Sequence, residues 1–218
     1  MKTLIFDLDG TILDTLVDLK NAVNHALFSY NLPEKDLEFV RKAIGNGTQV
    51  LIKRCTPESL DDCRRQEVFN CFKKYYFEHF SDNTKPYSGI LNLLKKLKQK
   101  CFLVVVSNKD DDLTKKLINK EFPQLFNVIQ GSYFDQPKKP HPYLINKIIS
   151  DNDIDKSQCL YIGDTNVDKE SAINAGLDYL LVNYGYRNKE ELEKMCPNDT
   201  SISSVKELEH HLELWVNK

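Results

Sequence analysis

Four short runs in the second part of the chain are largely apolar: CFLVVVS (101–107), FNVIQG (126–131), QCLYIGD (158–164) and DYLLVNY (178–184). Helical patterns such as ILNLLKKLKQK (90–100) lie between them. Continuously apolar strands separated by helices of ten or so residues require a parallel sheet covered on both faces. A fifth such strand, MKTLIFD, opens the chain and is cut off from the others by a long helical block. In that block DLKNAVNHALFSY (18–30) carries Leu19, Val23, Ala26, Leu27 and Tyr30 at close to helical period. LEFVRKAIGNG (37–47) follows and stops at a Gly-Asn-Gly break, and a further helix is expected from about Ser59 to Phe80. The expected fold is α/β: a Rossmann-like, doubly wound parallel sheet of residues 1–13 and 85–218, with an all-helical domain of residues 14–84 inserted after the first strand.

Composition narrows the function. In 218 residues, 30 basic side chains nearly balance 32 acidic ones, so the chain lacks the basic footprint of nucleic-acid or anionic-membrane binding. No apolar stretch approaches the ~20 residues that span a bilayer, and Asp7 interrupts the N-terminal apolar segment too early for a signal peptide. The six cysteines are scattered without a CxxC pair, which suits free buried thiols in a reducing cytoplasm. The five histidines show no ligand spacing, and His210-His211 is expected on the exposed face of the last helix.

In open parallel sheets, ligands bind beyond the carboxyl ends of the strands. Four segments with chemical character fall there. The first is DLDGT, where Asp7 and Asp9 point the same way in extended chain. Two crowded carboxylates resist joint ionisation unless a cation intervenes, and Gly10 allows a sharp turn and a close approach to a ligand. The same letters also suit a polar strand end entering a turn. The second is Ser107-Asn108. Ser107 fits an N-cap for a helix from about Asp110, and a hydroxyl with free amides at a helix start also cradles phosphate. The third is Lys139 in PKKPHP, stiffened by three prolines; it is preferred to Lys138 because it directly precedes a proline. The fourth is GDTNVD, with Asp164 at the strand end and Asp168 one helical turn on. Four carboxylates in one pocket call for a cation, and oxygen-only ligands suit Mg²⁺ better than zinc.

Taken together and in this order, DLDGT, Ser107, Lys139 and GDTNVD resemble the four signature motifs of haloacid-dehalogenase-type phosphatases. The helical insertion resembles that superfamily's helical cap, and Asp9 is the residue that its phosphatases and phosphomutases carry. The resemblance implies that Asp7 attacks phosphorus to form an aspartyl phosphate and that Asp9 serves as acid and then base. It implies that Ser107 and Lys139 hold the phosphoryl oxygens with amides near Gly10 and Asn108. It also implies Mg²⁺ on Asp7, the Asp9 carbonyl oxygen and Asp164, with Thr11 and Asp168 in support. DTLVDLKNAVNHAL, VRKAIGNG, PKKPHP and NYGYR are similar to segments of the phosphoglycolate phosphatases within the superfamily. The implied activity is Mg²⁺-dependent hydrolysis of a small phosphorylated metabolite, 2-phosphoglycolate before pyrophosphate, nucleotides or sugar phosphates, by a cytoplasmic monomer or homodimer. For the leaving group's carboxylate, the helical insertion offers the amides around Asn46 and the guanidinium of Arg41. A phospho-accepting receiver module is the reading from another class; it also combines aspartates, a hydroxyl and a lysine, but is about half as long and has no helical insertion.

Overall fold

A computed structural model describes residues Met1–Lys218. Two compact units emerge, Met1–Asp14 with Pro86–Lys218, and Thr15–Lys85. In chain order, β1 (Thr3–Phe6) and β2 (Leu13–Asp14) come first. The helices α1 (Leu16–Ser29), α2 (Leu37–Ala43), α3 (Thr48–Cys55) and α4 (Asp62–His79) follow. After β3 (Lys85–Pro86) come α5 (Ile90–Lys98), β4 (Phe102–Asp110), α6 (Asp111–Glu121), β5 (Val128–Ser132) and α7 (Tyr143–Asp151). The last elements are β6 (Cys159–Gly163), α8 (Asn166–Ala175), β7 (Asp178–Val182), α9 (Lys189–Met195), β8 (Ser201–Ile202) and α10 (Val205–Val216).

The sheet order is β5-β4-β1-β6-β7-β8, and every pairing is parallel. β1 lies inside the sheet with every residue buried: Leu4, Ile5 and Phe6 are fully so, and Thr3 almost as much. From β1 the chain builds outward through β4 and β5, then crosses to the other side for β6, β7 and β8. That reversal at β1 makes a topological switch point, where open α/β sheets hold their ligands. Register fixes what meets there. Phe6 stands opposite both Val105 and Ile162, so the segments that follow these residues emerge side by side.

One face of the sheet, carrying Ile5, Val104, Val106 and Tyr161, packs against Leu144, Ile145, Ile148 and Ile149 of α7 and Ala172 and Ala175 of α8. Each fully buried aliphatic side chain contributes about 1.5–3 kcal/mol. Sequence periodicity located five strands; the sixth, β8, has two residues, too few to show any period. β4 runs three residues past Ser107, to Asp110, with a register shift after Val106. Ser107 is therefore not the N-cap of α6. Asp110 holds that position, and the Ser107 hydroxyl accepts from the Lys109 amide at 3.1 Å instead.

The helical unit is tied at its ends by one carboxylate. Buried Asp18 of α1 accepts from the backbone and side-chain nitrogens of Asn83 and from the amide and hydroxyl of Thr84, at 2.8–3.0 Å. Asp36 caps α2 and Asp61 caps α4 through their side chains. All six cysteines are free, but only four are buried: Cys63 is exposed and Cys71 half-buried, because α4 turns them away from its buried Val68, Phe72 and Tyr76. His210 and His211 are exposed on α10. No helix is long and apolar enough to cross a membrane.

Candidate active site

Asp7 leaves β1 directly after Phe6 and is almost fully buried; its amide donates to Ile162 O at 2.9 Å. The chain then folds over itself, with the amides of Thr11, Ile12 and Leu13 all directed at Leu8 O. Gly10 makes this turn at φ +85°, and a Cβ there would lie 2.3 Å from Asp164 Oδ2. Thr11 Oγ1 donates to Asp164 Oδ1 at 3.4 Å, and the Tyr186 amide donates to Oδ2 at 3.2 Å. The segment 183–187 closes this side. Tyr184 donates its hydroxyl to Thr11 O at 3.1 Å, and Gly185 passes so close that a Cβ would overlap Gly10 O at 1.7 Å.

Lys139 reaches the same point from the α7 side. Its backbone is gripped by the Asn108 amide, which donates to Lys139 O at 3.0 Å and accepts from Lys139 N at 2.8 Å. Lys139 Nζ donates to Asp7 Oδ1 (2.7 Å), Asp168 Oδ1 (2.8 Å), the Tyr161 hydroxyl (2.9 Å) and Val106 O (3.2 Å). Asp168 is held in turn by a capping box at the start of α8. Its Oδ2 accepts from Thr165 Oγ1, Thr165 N and Asp164 N at 2.7–3.2 Å.

Asp9 has its own ammonium. Lys109 Nζ lies 3.0 Å from Asp9 Oδ2, with the two side chains 2% and 15% exposed. Sequence reasoning missed Lys109 because it ended the strand at Ser107. Continued as a strand, the chain puts Lys109 on the same side as Ser107, which is the signal that could have found it. Buried Arg187 adds a third positive charge near Asp164.

Four carboxylates therefore face three cations. Burial, then the charge of Asp168, raises the Asp7 pKa to about 7 against the opposing pull of Lys139. Asp164 is raised well above the usual carboxylate range by burial and by Asp168 and Asp7, with Arg187 opposing. Burial alone would depress Lys139, but Asp168 and Asp7 overcome it and hold the ammonium well above its ordinary value. Such a site is short of positive charge. Asp7, Asp164 and Asp168 offer carboxylate oxygens within 4.8 Å of one another, an all-oxygen set that fits a hard cation such as Mg²⁺. Both Asp168 oxygens accept hydrogen bonds, from Lys139, Tyr161 and the α8 cap, and Asp164 accepts one on each of its oxygens.

Arg41 and Asn46 belong to the helical unit. Glu38, three residues before Arg41 on α2, accepts from its Nε and from a terminal nitrogen, both at 2.7 Å. At the Gly-Asn-Gly turn the Arg54 guanidinium donates to Ala43 O and Asn46 Oδ1, both at 2.8 Å. Nothing in the sequence pattern singled out Arg54, since α3 brings it back to the turn across eight residues.

The family model described as "Haloacid dehalogenase-like hydrolase" matches residues 4–182. A phosphoglycolate phosphatase of Aquifex aeolicus is 35% identical over 188 residues, covering 85% of this chain and 86% of the relative. One from Haemophilus influenzae is 32% identical, covering 85% and 87%. Among solved structures, a chain from Lactobacillus delbrueckii subsp. bulgaricus superposes with a TM-score of 0.89 at 30% identity, covering 97% and 99%. A predicted phosphoglycolate phosphatase from Haemophilus somnus gives 0.81 at 28% identity, covering 91% and 92%. With four motif segments gathered at one switch point and relatives matched along most of their length, the chain belongs to the haloacid dehalogenase-like hydrolases, in their phosphoglycolate phosphatase-like group, and is a phosphoric monoester hydrolase.

Proposed function

We propose that this enzyme hydrolyses 2-phosphoglycolate to glycolate and phosphate by way of an aspartyl phosphate on Asp7. The observation that carries the reading is the buried contact of Asp7 with Lys139, with Asp9 two residues on and paired separately. One carboxylate is thereby oriented as nucleophile while its neighbour is kept apart for proton transfer. In the first step an Asp7 oxygen bonds to phosphorus, the bond to the ester oxygen breaks, and Asp9 delivers a proton to that oxygen. In the second, water gives a proton to Asp9 and attacks phosphorus, releasing phosphate and regenerating Asp7. Lys139, Ser107 and the amides near Gly10 and Asn108 hold the phosphoryl oxygens. Asp7, Asp164 and the Asp9 carbonyl oxygen would hold Mg²⁺, with Asp168 orienting Lys139 and Thr11 bracing Asp164. When bound, Mg²⁺ supplies neutralisation of phosphoryl charge.

The helical unit is read as a cap. The choice of phosphoglycolate rests on the names of the relatives and on the segments shared with that group. The test is hydrolysis of phosphoglycolate, pyrophosphate, nucleotides and sugar phosphates, with Mg²⁺ and with chelator. Phosphoglycolate is expected to lead with Mg²⁺, and Asp7→Asn to be inactive. Preference for another ester would refute the substrate, and an active Asp7→Asn would refute the nucleophile.

A further inference from the structure

We propose that Lys109 recognises the carboxylate of the substrate, so that selectivity for a phosphorylated small acid lies partly beside Asp9 in the α/β unit. This rests on the phosphoglycolate reading above and names the residue that would read the acid group.

Lys109 is held for such a task. Its amide donates to Ser107 Oγ at 3.1 Å, and its carbonyl accepts from Ser132 Oγ at 3.3 Å and Thr114 Oγ1 at 3.4 Å. The backbone is pinned from three sides, so the long side chain is aimed from a fixed base. Its ammonium ends 3.0 Å from Asp9 Oδ2 with only 2% of the side chain exposed. A general acid must come within about 2.6–3.2 Å of the atom it protonates, so Asp9 carries Lys109 to the neighbourhood of the ester oxygen. In 2-phosphoglycolate the carboxylate is one carbon removed from that oxygen. A carboxylate at that distance meets the Lys109 ammonium in a buried setting, where a charge-assisted hydrogen bond is strong. 2-Phosphoglycolate offers that carboxylate beside its ester oxygen, whereas an alkyl phosphate has only hydrocarbon there. Lys139 cannot take this part, because Asp7, Asp168, Tyr161 and Val106 already surround its ammonium.

The experiment compares 2-phosphoglycolate with ethyl phosphate, which has the same two-carbon skeleton without the carboxylate, in the wild-type enzyme and in Lys109→Met, Lys109→Gln and Lys109→Arg. In Lys109→Met and Lys109→Gln, kcat/KM for phosphoglycolate is expected to fall roughly 10- to 100-fold further than that for ethyl phosphate, the range of a charge-assisted hydrogen bond. Lys109→Arg should keep part of the preference, and inhibition by glycolate should weaken in step with it. Equal losses on both substrates would show that Lys109 only positions Asp9 and would overturn the proposal, as would no loss on either. Thermal unfolding of each variant separates misfolding from lost recognition, and the Gln and Arg variants carry the test if Met does not fold. A wild-type enzyme that hydrolyses ethyl phosphate without preferring phosphoglycolate would instead defeat the substrate reading itself.

Discussion

The hydroxyl of Tyr161 stands 2.9 Å from Lys139 Nζ and 3.2 Å from Asp168 Oδ1, sealed beneath the site with no exposed surface. One phenol on β6 thus accepts from the ammonium and donates to the carboxylate that holds it. Burial, the largest cause, pushes the Tyr161 pKa far above its ordinary value, so the hydroxyl keeps its proton throughout the working range.

Tyr161→Phe removes that link without opening a cavity. A net neutral hydrogen bond is worth about 0.5–1.5 kcal/mol, so kcat should fall roughly 2- to 10-fold. KM for a phosphate ester should change less. Steady-state kinetics with phosphoglycolate checks this, and an unchanged kcat would show that Asp7, Asp168 and Val106 suffice to place Lys139.

Gly10→Ala should be far more damaging than its size suggests. The added carbon would meet Asp164 Oδ2 at 2.3 Å on a backbone at φ +85°. The strained backbone alone costs about 1–3 kcal/mol, and Asp164 must move to make room. Urea unfolding should show that loss, and Mg²⁺ titration should show weakened binding. A variant of normal stability and affinity would mean that the loop relaxes freely.

In the helical unit, Asp18→Ala should destabilise more than any surface substitution. It strips Asn83 and Thr84 of the acceptor for their amides and side chains. Hydrogen bonds to a charged group are worth about 1.5–3 kcal/mol, and the loss of this cluster should lower the Tm by several degrees. Asp18→Asn, which keeps some of the acceptors, should recover part of it.

The cysteines should separate by alkylation. Burial raises Cys55 and Cys159 to about 11, so each remains a neutral, unreactive thiol through pH 8. Iodoacetamide at pH 8 should label exposed Cys63 in the native protein, and reach Cys55 and Cys159 only after denaturation. Because folding favours their protonated forms, their contribution to stability is complete below pH 9 and is lost as the pH rises towards 11. Mass spectrometry of labelled peptides decides the first point and pH-dependent unfolding the second.

Some of this protein can be read along a single chain, because strand burial and helical period leave local marks. Apolar runs reveal a parallel sheet, and polar residues at or beyond their ends include Asp7, Lys139 and Asp164, which the fold brings together. What remained hidden depends on partners far apart in sequence. No local signal marks Lys109; β4 continues past Ser107 and brings its ammonium to Asp9, a hundred residues earlier. Arg54, which no local pattern marks, is brought by α3 to Asn46 of the Gly-Asn-Gly turn. The two-residue β8 carries no period at all and exists because β7 offers it an edge. Periodicity reports which face of an element is buried. Which charge answers which, and in what order strands lie, is settled only when the packed elements bring those groups within a few ångströms, where desolvation makes each ion choose a partner.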